Sequence, residues 1–262
     1  IAADLKDEYT VSLADIDREK CDIIAQMYGI ETIAADLREE NQLLRVVEKA
    51  DLVIGAVPGF MGFETLRRVI EAKKNVVDIS FFGEDPFLLG DLAELNGVTA
   101  VMDCGVAPGM SNLILGHYSK IMDITSFSCW VGGLPQKRVL PYEYKAPFSP
   151  VDVVEEYTRA ARIVENGSIV EKPAMSEPEL IDFPDVGTLE AFNTDGLRTL
   201  LTTMKIKDMS EKTLRYPGHI DKIKLLRDSG FFSLKPVDIN GIPVQPLDFT
   251  CKLLFPLWKL AP

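Results

Sequence analysis

An α/β chain is what this sequence predicts: a doubly wound parallel sheet followed by an α+β domain. Three observations lead there. In the first half, short apolar runs alternate with helical patterns over short connections. After Gly109 that alternation gives way to longer β-prone runs and Asn-Gly turns. Between the two halves, Asp103-Cys104-Gly105-Val106-Ala107-Pro108-Gly109-Met110-Ser111-Asn112 sets a carboxylate and a glycine-proline turn between a buried apolar run and an amphipathic one. In open α/β sheets ligands sit outside the carboxyl ends of the strands, and the N–H groups of a helix start behind such a turn can meet an anion.

Taken in order, Ile1 to Lys6 has helical spacing and leads into a strand from Thr10 to Ala14 that ends at Asp15. Asp17 to Tyr28 reads as a helix with Cys21, Ile24, Met27 and Tyr28 on its apolar face, closed by Gly29. Thr32 to Ala35, Leu52 to Val57, Val76 to Ile79 and Val98 to Met102 are further strands. Helices from Gln42 to Ala50, Phe63 to Lys73 and Pro86 to Leu95 separate them. Apolar strands joined by helices are buried on both faces and therefore parallel. Beyond Gly109, Ile124 to Val131 reads as a strand and Pro150 to Ile163 as a helix. Asn166-Gly167 and Asn240-Gly241 read as hairpin turns, and Lys212 to Tyr216 as a strand entering a helix from His219 to Arg227. The expected division is a dinucleotide-binding domain over 1–109 and a substrate domain with an antiparallel sheet over 110–262.

Composition narrows the function. Forty acidic against 28 basic residues give a formal net charge of −12, which argues against nucleic acid and anionic membranes as partners. Four dispersed cysteines without a CxxC pair suggest neither disulfide framework nor zinc site, and two histidines lower the prospect of a metal enzyme. No apolar run approaches the ~18 residues of a membrane span, and no signal-peptide pattern is present. The expectation is a cytoplasmic protein with a small-molecule substrate.

In a dinucleotide-binding unit, a strand and a G-x-G-x-x-G turn precede the first helix. Neither stands before Ile1, so the chain is expected to be part of a longer protein, and the cofactor argument starts at the second strand. Asp15 ends that strand, where an acid accepts hydrogen bonds from the adenosine ribose and disfavours the extra phosphate of NADP; NAD is the expected cofactor. The alternative is that Asp15 and Asp17 cap the next helix. Asp36 either borders the adenine or is a solvated loop acid. Val57 and Pro58, in Ala56-Val57-Pro58-Gly59-Phe60, follow the next strand, where small residues let backbone approach the dinucleotide. Asp78 and Asp103 both sit at carboxyl ends of apolar strands. If those strands are neighbours, two carboxylates share one face; turn capping is the alternative for each. Ser80 and Gly105 are further cofactor candidates.

DCGVAPGMSN, then Val131-Gly132-Gly133-Leu134-Pro135, then Thr213-Leu214-Arg215-Tyr216-Pro217-Gly218-His219, in that order, closely resemble the saccharopine-dehydrogenase-like family of amino-acid dehydrogenases. The resemblance implies a Rossmann-like first domain, hydride transfer from the amine-bearing carbon of an amino acid, and a homodimer or higher homo-oligomer. Three positions incline it toward the lysine-dehydrogenase branch: Ala107 where the saccharopine reductases carry an acid, Val131 where they carry Cys, and His219 where they are aromatic. On this reading Arg215 holds the substrate carboxylate through two parallel hydrogen bonds. His219, kept neutral by the positive helix end, takes a proton. Gly132, Gly133, Tyr144, Asn193 and Thr194 line the substrate, although helix capping is a cheaper role for the last two and packing for Tyr144. Asp103, Asp78 and His219 are thus the expected catalytic residues. Three functions compete: an NAD-dependent dehydrogenase of lysine or a related amino acid, a saccharopine-type reductase using NADPH, and a non-catalytic sensor that binds NAD and amino acids.

Overall fold

The computed structural model describes residues 1–146 and 148–260, which fall into two compact units, Ile1–Cys104 and Gly105–Pro262. The division lies a few residues ahead of Gly109.

The first unit alternates as its apolar runs demand: α1 (Ala2–Leu5), β1 (Ser12–Asp15), α2 (Arg18–Tyr28), β2 (Glu31–Ala34), α3 (Glu40–Val47), β3 (Leu52–Gly55), α4 (Gly59–Glu71), β4 (Asn75–Asp78), a 3-10 turn (Pro86–Leu89), α5 (Gly90–Asn96) and β5 (Ala100–Val101). Asp17 caps α2 by accepting the Lys20 N–H, and Gly29 closes it in the left-handed conformation at φ 67°, the geometry in which a side chain is most strained. Every strand pairing is parallel, but the sheet lies in two pieces, β1-β2 and β3-β4-β5. In the doubly wound order, the strand between such pieces is the one that carries the glycine turn. Leu43, Val47, Leu66, Val69, Ile70, Val76, Phe82 and Leu89 form the core, drawn from the apolar faces of α3 and α4, from β4, from the segment after it and from the 3-10 turn. Gly55 is required by packing, since a Cβ there would lie 2.0 Å from Oδ2 of Asp78.

The second unit contains α6 (Met110–Tyr118), β6 (Ser126–Val131), α7 (Pro150–Thr158), β7 (Ala161–Glu165), β8 (Ser168–Lys172), β9 (Glu179–Phe183), β10 (Gly187–Asn193), α8 (Leu200–Thr203), β11 (Asp208–Arg215), α9 (His219–Asp228), β12 (Val237–Ile239), β13 (Ile242–Val244) and α10 (Pro246–Trp258). Its sheet runs β8-β7-β11-β10-β9, mostly antiparallel as expected, but β6 pairs with β11 in parallel, from Ser126↔Asp208 to Val131↔Thr213. A parallel neighbour needs a long crossover, and more than 75 residues separate these two strands. Both Asn-Gly pairs turn hairpins, with Asn166 and Gly167 at φ 51° and 79° and Asn240 and Gly241 at 55° and 84°. The helix expected to run to Ile163 stops at Thr158, and Ile163 lies in β7. Val153, Val154 and Tyr157 give α7 its buried face, whereas Ala161, Ile163 and Val164 satisfy the sheet. The core joins Tyr144, Val153, Tyr157, Phe192, Ile220, Ile223, Leu254 and Trp258.

Candidate functional site

The first unit carries its candidates at the carboxyl ends of parallel strands. Asp15 is exposed, and its Oδ1 accepts the Asp17 N–H at 2.8 Å. Helix capping falls to Asp17. A carboxylate has about four acceptor sites, so Asp15 keeps capacity for a pair of hydroxyls. Asp36 is otherwise engaged: Arg38 meets its two oxygens at 2.6–3.2 Å, and hydrogen bonding to that guanidinium holds its carboxyl below the usual range. Val57 and Pro58 are half-buried, and Pro58 opens α4.

Asp78 and Asp103 belong to neighbouring chain segments, because β4 pairs with β5 and the Cys104 N–H bonds to the Asp78 carbonyl at 3.0 Å. Burial, then the charges of Asp103 and Asp78, push the Cys104 thiol up. The two acids are not equivalent. Asp78 is 1 % exposed and turned into its own strand end, with Oδ1 accepting the Ser80 N–H at 2.8 Å and Oδ2 the Ser80 hydroxyl at 3.3 Å. This closes the turn and draws Ser80, also buried, inward with it. Asp103 is buried too, but in the left-handed region at φ 54°, a conformation that costs most residues energy and gathers at functional positions.

The turn from Gly105 to Ser111 is more closed than expected. Gly109, at φ 145°, lets the backbone fold onto Gly105, whose carbonyl oxygen would lie 1.9 Å from a Cβ at position 109. The N–H groups of Gly109, Met110 and Ser111 bond to Asn112 Oδ1, the Gly105 carbonyl and the Val106 carbonyl. They are therefore spent inside the turn, which corrects the expectation that this helix start offers open donors to an anion.

The second unit builds a buried polar chain where the sequence suggested separate ligands. β11 alternates sides, which puts Glu211, Thr213 and Arg215 on one buried face. The Arg215 guanidinium, 2 % exposed, donates from Nη2 to Glu156 of α7 at 2.7 Å, from Nη1 to the Leu214 carbonyl at 3.0 Å and from Nε to the Tyr157 hydroxyl at 3.1 Å. It also lies 4.3 Å from the centroid of the Tyr144 ring. The Tyr157 hydroxyl meets His219 Nε2 at 2.9 Å, and His219 Nδ1 meets the Tyr142 carbonyl at 2.8 Å. A carbonyl only accepts, so Nδ1 carries the proton, Nε2 accepts from Tyr157, and Tyr157 accepts from Arg215. Burial first, then Arg215, lower the imidazole to about 3. The expected neutral histidine is present, for a reason other than the helix end.

His219 is 1 % exposed and its acceptor nitrogen receives the Tyr157 hydroxyl, which places it inside this row of hydrogen bonds. Arg215 spends one donor each on Glu156, the Leu214 carbonyl and the Tyr157 hydroxyl, three of the five that a guanidinium carries. Tyr144 packs against His219 and Trp258 with ring centroids 5.4 and 5.6 Å away, and its buried hydroxyl has no hydrogen-bond partner among the described residues. Gly132 lets β6 approach β11, since a Cβ would meet that of Leu214 at 2.9 Å; Gly133 is half-buried beside it.

Asn193 and Thr194 do not open a helix. Asn193 ends β10, buried, and donates to Ser176 and Glu177. The Thr194 hydroxyl donates to Glu211 Oε2 at 2.5 Å and lies 2.8 Å from the Thr213 hydroxyl. The sequence reading missed Glu156, Tyr157 and Glu211. The available signal was two charged positions, Asp152 and Glu156, one helical turn apart among apolar residues, and an acid in phase with Arg215 along a strand.

A unit of parallel strands and helices with carboxylates at its strand ends, and a second unit built on a mixed sheet, make a Rossmann-like domain followed by a C-terminal sheet domain. The model of the saccharopine dehydrogenase NADP binding domain matches residues 1–101, and that of the saccharopine dehydrogenase C-terminal domain matches residues 105–262. The chain belongs to the saccharopine dehydrogenase family. It is 24% identical over 224 residues to an alpha-aminoadipic semialdehyde synthase of Arabidopsis thaliana, covering 78% of this chain and 21% of that protein. It is 27% identical over 215 residues to a saccharopine dehydrogenase [NADP(+), L-glutamate-forming] of Pyricularia oryzae, covering 77% and 48%. The structure of the apo saccharopine dehydrogenase (L-Glu forming) of Saccharomyces cerevisiae shares the fold, with a TM-score of 0.65 at 20% identity over 96% of this chain and 60% of that one. The chain spans less than half the length of those two curated relatives. These relatives are amino-acid dehydrogenase-type oxidoreductases, and no helix among the described residues is long and apolar enough to cross a membrane.

Proposed function

We propose that this protein oxidises the amine-bearing carbon of lysine or a related basic amino acid, with NAD preferred over NADP, in a reducing, cytoplasmic setting that suits its four free cysteines. The observation that carries the cofactor choice is Asp15: an exposed carboxylate at the end of β1, with acceptor capacity left for ribose hydroxyls and an unfavourable charge for a ribose phosphate. The first unit's other contributions to that dinucleotide are the backbone at Val57 and Pro58. When bound, the dinucleotide supplies the hydride acceptor.

The chemistry left to the chain is charge management. Removing hydride from an amine carbon makes a cationic iminium, which Asp103 is suited to stabilise; Asp78 holds the Ser80 turn in place beside it. In the second unit, the rigid sequence Arg215–Tyr157–His219–Tyr142 orders one wall of the substrate domain, with Tyr144 upon it. Hydrolysis of the iminium by water gives the semialdehyde and an ammonium ion.

A second reading, a saccharopine-type reductase that consumes NADPH, is favoured by the names of the curated relatives. Stopped assays of the full-length protein separate the two. Lysine-dependent NADH formation supports the first; NADPH consumption that requires glutamate and an aldehyde, without lysine oxidation, replaces it by the second.

A further inference from the structure

Beside the Asn166-Gly167 turn the second unit holds a cavity of about 480 Å³, a size that suits a small organic ligand. Val164 of β7, Ile169 of β8, Leu201 of α8, and Met204 and Ile206 from the run into β11 give it apolar walls. Lys205 and Lys207, both exposed, belong to the same lining. Neither ammonium meets an acid among the described residues. The acids nearest in sequence are engaged elsewhere, Glu165 with Lys172 at 2.8 Å and Asp208, through Oδ1, with the Asn166 N–H at 2.9 Å. Other cations of this sheet are matched: Lys172 also holds Glu177, Lys212 holds Glu179 and Arg162 holds Asp195. Two unmatched cations around an apolar cavity, in a chain of formal net charge −12, reverse the sign of the charge locally, and such a reversal draws in anions.

We propose that this cavity binds a free monocarboxylate with an unbranched apolar chain, a fatty acid of medium length. Its chain lies against the apolar walls, and its two oxygens meet the ammonium groups of Lys205 and Lys207. The donor set favours a carboxylate over a phosphate. Both N–H groups of the turn are spent, that of Asn166 on Asp208 and that of Gly167 on the Lys207 carbonyl at 2.7 Å, so no nest of backbone donors is left to cradle a phosphate. The cations are two separate lysines in place of a planar arginine fork. Met204 contributes an unbranched, polarisable side chain that adapts to an alkyl chain. The site shares no residue with the strand-end carboxylates of the first unit or with the hydrogen-bonded row around Arg215, and it does not depend on which amino acid the protein oxidises.

Calorimetry of the full-length protein with decanoate, butyrate and decylammonium at low salt tests this. The parent is expected to bind one decanoate per chain. Butyrate, which lacks most of the apolar chain, should bind about tenfold or more weakly, and so should decylammonium, which carries the opposite charge. Replacing both lysines, Lys205→Gln with Lys207→Gln, removes two exposed charges. It is expected to weaken decanoate about tenfold and to leave an affinity that added salt no longer lowers. Ile169→Glu places an acid on the exposed edge strand of the cavity and is expected to abolish binding at parent melting temperature. A parent that does not saturate with decanoate, or that takes decylammonium equally well, overturns the proposal. So does a decanoate affinity that either variant leaves unchanged, because the ligand then sits elsewhere. Should Ile169→Glu fold poorly, the lysine variant, altered only at exposed ammonium groups, decides alone. Turnover is no part of this readout, so failure of the dehydrogenase reading and failure of this site are told apart.

Discussion

In the first unit, Asp15 lies in the open, Asp36 faces the exposed Arg38, and Glu64 faces Arg67 and Arg68 along a helix. In the second, Glu156, Asp195, Glu211, Arg215 and His219 lie inside, each bonded to a partner distant in sequence. The first unit has an apolar core and carries these charges at its surface, with Asp78 and Asp103 as buried exceptions at strand ends. The second makes its charges part of the core, so function and folding are coupled there. A substitution at a charged residue should therefore change activity in one unit and stability in the other.

Arg215→Ala breaks that symmetry most sharply. It strands Glu156 in the interior, and breaking a buried pair typically costs about 3–5 kcal/mol. Denaturant unfolding should show this loss in the second unit. A variant of parent stability whose only defect is a raised KM for lysine would return Arg215 to the role of carboxylate clamp. Asp103→Asn should do the reverse, lowering kcat by about 100-fold, or ~3 kcal/mol of transition-state stabilisation, with little change in melting temperature. Near-parent turnover with weakened folding would make Asp103 a structural residue.

Tyr157→Phe removes the hydroxyl between Arg215 and His219 and leaves two buried groups unpaired, a loss of about 1–3 kcal/mol in unfolding experiments. Titrations of stability against pH give each buried group a sign. The imidazole of His219 is depressed, so its contribution is complete above pH 6.5 and disappears as the pH falls toward 3. Glu211 is raised, so its contribution is complete below pH 4.5 and is lost as the pH rises through 8. His219→Gln should flatten the acid limb and E211Q the alkaline one; unchanged limbs would place both groups outside the titrating set. The smallest effect is expected for Asp15→Ser, which should narrow the preference for NAD over NADP severalfold in direct titration without altering stability.

The same contrast explains what the sequence made legible. Gly29, Asn166-Gly167 and Asn240-Gly241 announce their turns because left-handed backbone is a local demand that few residues meet. The alternation of Val76-Val77-Asp78 and Ala100-Val101 with helices likewise displays parallel strands, whereas that β4 and β5 are neighbours follows only from their pairing. The end of α7 was not legible, since Arg159-Ala160 carries no glycine or proline stop and only the pairing of β7 with β8 decides it. Nor was the pairing of Arg215 with Glu156, 59 residues away, or the filling of His219 by Tyr157, 62 residues away. A motif shows which side chains are present; whether their hydrogen bonds remain available to a ligand depends on contacts made by the folded chain.

The functional account stands most directly on one measurement: initial rates of NADH formation by the full-length protein with L-lysine, set beside rates with NADP and with norleucine. It predicts turnover with lysine and NAD, less with NADP, and little with norleucine. Absence of lysine-dependent NADH formation, together with NADPH oxidation that requires glutamate and an aldehyde, would contradict it.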